Sequence, residues 1–137
     1  MNSARLNPAR LGALLAFLGV GLGAFGTHTL GDVLTLERLE TFETAVRYQM
    51  FHALALLALG ALPAETRRAA WLLFAGTVIF SGSLYLLVAT DISWLGAVTP
   101  VGGLLQLAGW GLLFFSLSRR GEGDSSSRTS LSRKVAE

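Results

Sequence analysis

Residues Ala69 to Thr90 read AAWLLFAGTVIFSGSLYLLVAT, 22 positions without an Asp, Glu, Lys or Arg. A helix of about 20 mostly apolar residues is the length that crosses the hydrocarbon core of a bilayer. The run does not alternate apolar and polar residues, as the strand of a lipid-facing barrel does. In hydrocarbon no water is at hand for backbone amides, so the helix is the remaining conformation. Arg67 and Arg68 stand just before the stretch and Asp91 just after it, which marks its two ends.

The same pattern extends in both directions. Leu11 to Gly31 is 21 residues without such a charge, Tyr48 to Ala64 is 17, and Ile92 to Ser118 is 27. The second of these is short, but it extends upstream through Phe42, Ala45 and Val46. The chain therefore reads as an all-α integral membrane four-helix bundle, with spans at about 11–31, 42–63, 69–90 and 94–117. Composition agrees. Of 137 residues, 52% are hydrophobic and 15% charged, whereas a soluble domain carries about 25% charged residues. Mean hydropathy is +0.54. A water-soluble globular enzyme does not fit these values. Cysteine is absent, which excludes disulfides, thiolate metal sites and a cysteine nucleophile.

The basic residues predict the threading. Arg5 and Arg10 precede the first span, Arg67 and Arg68 lie between the second and third, and Arg119, Arg120, Arg128, Arg133 and Lys134 follow the fourth. The opposite side holds only Arg38 and Arg47. By the positive-inside rule both termini are expected in the cytoplasm. Residues 1–10 form a short flank, and 119–137, with five serines and mixed charges, reads as a disordered cytoplasmic tail. The pI is near 9.7, but the net charge is only +2, so no nucleic-acid partner is expected. The apolar stretch of the first span exceeds the roughly 7–15 residues of a signal-peptide core, so it reads as a retained helix. Trp71 and Trp94 stand where interfacial aromatics are expected.

Before the second span, Leu36, Leu39, Phe42 and Val46 recur at helical spacing among Glu37, Arg38, Glu40 and Glu43. Thr35 fits an N-cap and Glu37 the first turn. Glu43 and Arg47 are an i,i+4 pair in the favourable order. The charged stretch reads as a solvated helix end.

Gly21-Leu-Gly23-Ala-Phe-Gly26 matches the dinucleotide fingerprint letter for letter. That motif needs a preceding strand and free amides at a helix N-terminus. Inside a membrane helix the amides are already bonded, so no nucleotide is expected. Close packing explains the glycines better: Gly19, Gly23 and Gly26 on the first helix, Gly82 on the third, and Gly102 and Gly103 on the fourth are the expected contact points. Pro100 should bend the fourth helix near its outer end.

Each span also carries polar side chains at comparable depth: His28; Tyr48, Gln49 and His52 on one face of the second helix; Ser81 and Tyr85; Thr99 and, nearer the midplane, Gln106. In hydrocarbon such groups turn inward and hydrogen-bond one another. One consequence is a network that fixes helix packing and register. Another is a polar cavity in the outer half, lined by His28, Tyr48, His52 and Tyr85, that binds a ligand or relays protons. Two imidazoles without a nearby carboxylate make a thin zinc shell, and no acid within the spans is placed to orient a histidine for hydrolysis. No metal, cofactor or catalytic residue is expected.

Four motifs carry a family resemblance: Gly23-Ala-Phe-Gly26-Thr-His28, Tyr48-Gln-Met-Phe-His52-Ala-Leu-Ala, Gly82-Ser-Leu-Tyr85 and Thr99-Pro-Val-Gly102-Gly103. Between about Arg10 and Leu117 the chain resembles the small four-helix bacterial inner-membrane proteins of the YgdD/YwdK type, a family of unknown function. Thr27 and Thr29 depart from the small residues usual around that family's histidine. The resemblance implies four spans in the bacterial cytoplasmic membrane and no established reaction. The function expected is a non-enzymatic structural or accessory membrane component acting through helix packing, the alternative being a small carrier or ligand-binding protein that uses the outer cavity. Its expected partners are membrane lipids and either another membrane protein or a second copy of itself.

Overall fold

A computed structural model describes residues 7–62 and 64–135. The described residues fold into four helices: α1 (Pro8–His28), α2 (Leu36–Leu59), α3 (Arg67–Thr90) and α4 (Leu95–Val135). Short 3-10 turns at Leu30–Asp32 and Ala64–Thr66 link the first two and the middle two. α1 starts where Pro8, with no N–H to leave unmet, follows Asn7. The Asn7 side chain accepts from the Ala9 amide at 3.0 Å. Thr35 is the N-cap of α2, its hydroxyl accepting from the Arg38 amide at 3.4 Å. α3 ends on Asp91, which takes the left-handed conformation (φ 58°) common just beyond a helix.

Among the described residues, three helical stretches are long and apolar enough to cross a membrane: Pro8–Asp32, Arg67–Thr90 and Leu95–Arg119. α2 is the exception to the expected set of four. It begins at Leu36 and ends at Leu59 rather than spanning 42–63. Its length includes Glu37, Arg38, Glu40, Glu43, Arg47, Tyr48, Gln49 and His52, which dilute its apolar character. α4 runs on as helix to Val135, where a disordered tail was expected from Arg119. Once a helix is nucleated, each further residue adds a hydrogen bond without a new nucleation cost, so a polar segment can continue it.

The helices lie side by side in chain order, α2 between α1 and α3, and α3 between α2 and α4. The apolar core sits toward the α2–α3 connection, where Leu15, Ala53, Leu56, Leu59, Ala69, Ala70, Leu73 and Leu113 meet. The outer faces are apolar as well. Phe17 is 77% exposed, Leu107 69% and Phe114 66%. Such extensive exposed apolar surface is what a protein dissolved in lipid presents.

Glycine brings the helices this close. A methyl at Gly102 would strike the Phe80 amide and stand 2.8 Å from the Gly76 carbonyl oxygen. At Gly26 it would lie 2.7 Å from the Phe42 ring, and at Gly12 2.6 Å from the Ala53 carbonyl. Gly23 and Gly103 are looser, at 3.5 Å from Val46 and 3.9 Å from Phe80. Gly82 does not belong with them: nothing lies within 4 Å of a Cβ placed there, because its side of α3 meets no other helix.

Candidate functional site

α2 carries the polar residues into the middle of the bundle, and they divide into two groups. The first centres on Gln49, which is 4% exposed. Its amide nitrogen donates to the Leu15 carbonyl of α1 at 2.8 Å, and its oxygen accepts from the Tyr85 hydroxyl of α3 at 2.9 Å. One side chain thus joins three helices. Gly19 makes room for it: a methyl there would lie 2.6 Å from the Met50 sulfur and 3.4 Å from the Gln49 nitrogen. Beside it, the Ser81 hydroxyl donates to the Ala45 carbonyl at 2.8 Å, and the Tyr85 ring packs on Phe42 with centroids 5.2 Å apart.

The second group centres on His52. Its Nδ1 lies 2.8 Å from the Tyr48 carbonyl, and its Nε2 lies 3.2 Å from the Trp110 indole nitrogen on α4. A carbonyl can only accept and an indole N–H can only donate. Nδ1 therefore carries the proton and Nε2 receives one, a tautomer assigned from the network. Both ring nitrogens thus have a partner within the bundle. Tyr48 contributes through its ring, stacked on Phe80 at 4.6 Å, and its hydroxyl has no partner among the described residues.

α3 and α4 are joined by two more contacts. The Ser83 and Thr99 hydroxyls are 2.7 Å apart, and the Gln106 amide donates to the Thr77 hydroxyl at 3.4 Å. No buried side-chain nitrogen or oxygen among the described residues is without a partner. No three His, Cys, Asp or Glu side chains among them gather as a metal-binding set.

The geometry brings together Gln49, Ser81 and Tyr85, then Tyr48 and His52, then Thr99, and Gln106. It does not bring in His28. That side chain is exposed at the end of α1, with no hydrogen bond among the described residues, because no helix covers its face. The four-residue lining expected for an outer cavity is therefore not assembled: Tyr48 and His52 line one groove, and neither His28 nor Tyr85 does.

Some contributors were missed. Trp110 lies four residues from Gln106 on one face of α4, and Thr77, Ser81 and Tyr85 form an i,i+4 stripe on α3, so both were available as spacing signals. Arg38 was read as solvated. Its guanidinium donates to the Val88 carbonyl at 2.6 Å and lies 3.6 Å from Asp91. It thereby satisfies one of the open carbonyls at the end of α3, where a cation also suits the helix dipole. No ion pair joins Glu43 to Arg47 among the described residues, where both side chains are exposed.

A family described as a protein of unknown function, DUF423, matches residues 22–103, which hold Gln49, His52, Ser81, Tyr85 and Thr99. The chain belongs to the DUF423 family. A UPF0382 membrane protein of Staphylococcus haemolyticus is 49% identical over 110 residues, 77% of this chain and 90% of that protein. One from Staphylococcus aureus is 47% identical over 110 residues, with the same two shares. The UPF0382 membrane protein YwdK of Bacillus subtilis is 46% identical over 106 residues, 73% of this chain and 86% of YwdK. No solved structure matches. The resemblance read from the motifs thus holds, and the chain is a membrane protein of a family whose function is unknown.

Proposed function

We propose that this DUF423 protein is a four-span component of the bacterial cytoplasmic membrane, with both termini inside, that acts without catalysis through helix contacts as a structural or accessory subunit. The observation that carries the reading is Gln49, bonded to α1 and α3 at once. Its amide nitrogen and its oxygen both serve the joining of helices. His52 is engaged at both nitrogens in the same way. The alternative, a carrier or ligand-binding protein, rests on one outer cavity lined by His28, Tyr48, His52 and Tyr85, and the groove that Tyr48 and His52 line includes neither of the other two. α2 belongs in the membrane on this reading because its polar side chains meet partners there, which lowers the cost of burying them. Lipids surround the bundle, and the working partner is another membrane protein or a second copy of the chain.

The absence of cysteine makes the threading directly testable. Ser93→Cys, in the α3–α4 connection, should react with a membrane-impermeant maleimide in intact cells, and Ser130→Cys only after permeabilisation. The opposite pattern would refute the topology. For the function, a photoreactive phenylalanine analogue at Phe114, on the exposed face of α4, should give a discrete protein adduct in cells. Adducts to lipid alone, there and at Phe17 on α1, would refute action through protein contacts.

A further inference from the structure

Where α2, α3 and α4 meet, a groove of about 500 Å³ is lined by Tyr48, His52, Phe80, Gly103, Gln106 and Trp110 among others. Volumes of roughly 300–1,000 Å³ are those of small-ligand sites. No Asp, Glu, Lys or Arg lines it. Its rim includes Leu104 and Leu107, both well exposed on the apolar outer face of α4. Tyr48 stacked on Phe80 forms one wall. Trp110, held by its bond to His52, forms another. Gly103 leaves the space between them empty, since a Cβ there would only reach contact with the Phe80 ring at 3.9 Å.

Gln106 adds a polar atom to this apolar site. The residue is 4% exposed, and its amide nitrogen donates to Thr77. Its Oε1 accepts nothing from the described residues. No fully buried side-chain oxygen among the described residues lacks a partner, so this oxygen is not wholly enclosed, and Gln106 is one of the residues that line the groove. An acceptor left unmet in an apolar medium is costly. Tyr48, whose hydroxyl has no partner among the described residues, lines the same groove. A carboxamide oxygen calls for a donor, aromatic walls suit a ring, and the uncharged lining suits a neutral molecule.

We infer that this groove binds a neutral lipid-soluble phenol or hydroquinone, its ring between Tyr48, Phe80 and Trp110 and its hydroxyl donated to Gln106 Oε1. The inference goes beyond the accessory role and does not depend on it.

Trp71→Phe and Trp94→Phe leave Trp110 as the sole indole, since the chain has three tryptophans. In that background, in mild detergent, 4-pentylphenol should change the Trp110 emission saturably. Its methyl ether, 4-pentylanisole, fills the same volume without a donor and should need at least about tenfold more, as expected for losing a hydrogen bond to a buried acceptor. Gly103→Leu, which fills the groove, should abolish both responses. Gln106→Leu should make phenol and ether equivalent. A response that rises linearly without saturation, equal affinities in the parent, or a phenol preference that survives Gln106→Leu would each overturn the inference. Should Gln106→Leu fail to fold, the parent comparison and Gly103→Leu still decide.

Discussion

Gln49→Leu isolates the hydrogen bonds that hold α1, α2 and α3 together, because leucine fills nearly the same space without polar atoms. Two interhelical bonds are lost, at 2.8 and 2.9 Å. Such bonds average about 0.6 kcal/mol in membrane proteins and reach about 1.7, so the pair should contribute about 1–3 kcal/mol. Tyr85→Phe removes one of them and should cost about 0.6–1.7 kcal/mol. The two changes should not add. After Gln49→Leu the Tyr85 hydroxyl is stranded, and removing it relieves a penalty, so the double variant should cost less than the sum by about 0.5–1.5 kcal/mol. The assay is reversible unfolding of the four proteins in mixed detergent micelles, followed by circular dichroism. If Gln49→Leu unfolds within about 0.3 kcal/mol of the parent and the cycle is additive, Gln49 does not hold the helices together and the reasoning fails.

His52→Ala strips the acceptor from the Trp110 indole and should lower stability by about 1 kcal/mol in the same assay; no change would mean that the bond adds nothing. Gly102→Ala drives a methyl into the Phe80 and Gly76 backbone and should cost about 1–3 kcal/mol. Gly82→Ala, which meets nothing, should be neutral or stabilise by up to about 1 kcal/mol through helix propensity. Equal melting temperatures for the two alanine variants would contradict the packing described. Arg38→Ala, which opens the Val88 carbonyl, should cost about 1 kcal/mol. Asp91→Asn, which keeps a residue tolerant of φ 58° and loses only an exposed ion pair, should stay within about 0.5 kcal/mol. Denaturation of the two variants side by side checks the order.

The helices were legible because charge-free length is a local property, as with residues 69–90. So was the Thr35 cap, which depends on residues three apart. The close contacts at Gly26 and Gly102 followed from the rule that only small residues let membrane helices approach. What no local pattern supplies is the partner across a helix interface. Gln49 and His52 were placed in one cluster, yet three residues at about 100° each leave roughly 60° between their side chains. That angle turns Gln49 toward α1 and α3, and His52 toward α4. His28 failed to join because α1 is flanked by α2 on one side only, a matter of helix order that spacing does not carry. Arg38 was missed for the converse reason: its carbonyl partner, Val88, lies 50 residues away, and a charged residue on an amphipathic stretch looks solvated until the end of another helix is set beside it.

The membrane placement proposed for α2 bears on how the chain is made. This helix is too polar to partition readily on its own, and the groups that satisfy Gln49 come from both directions along the chain. Leu15 has left the ribosome before it, while Tyr85 and then Trp110 emerge after it. On the proposed four-span reading, α2 waits beside α1, half satisfied, at the insertion machinery until α3 arrives. Release into the bilayer becomes an event of a helical hairpin or triplet rather than of single segments, and a nascent chain truncated before Tyr85 would be retained there or cleared by proteolysis.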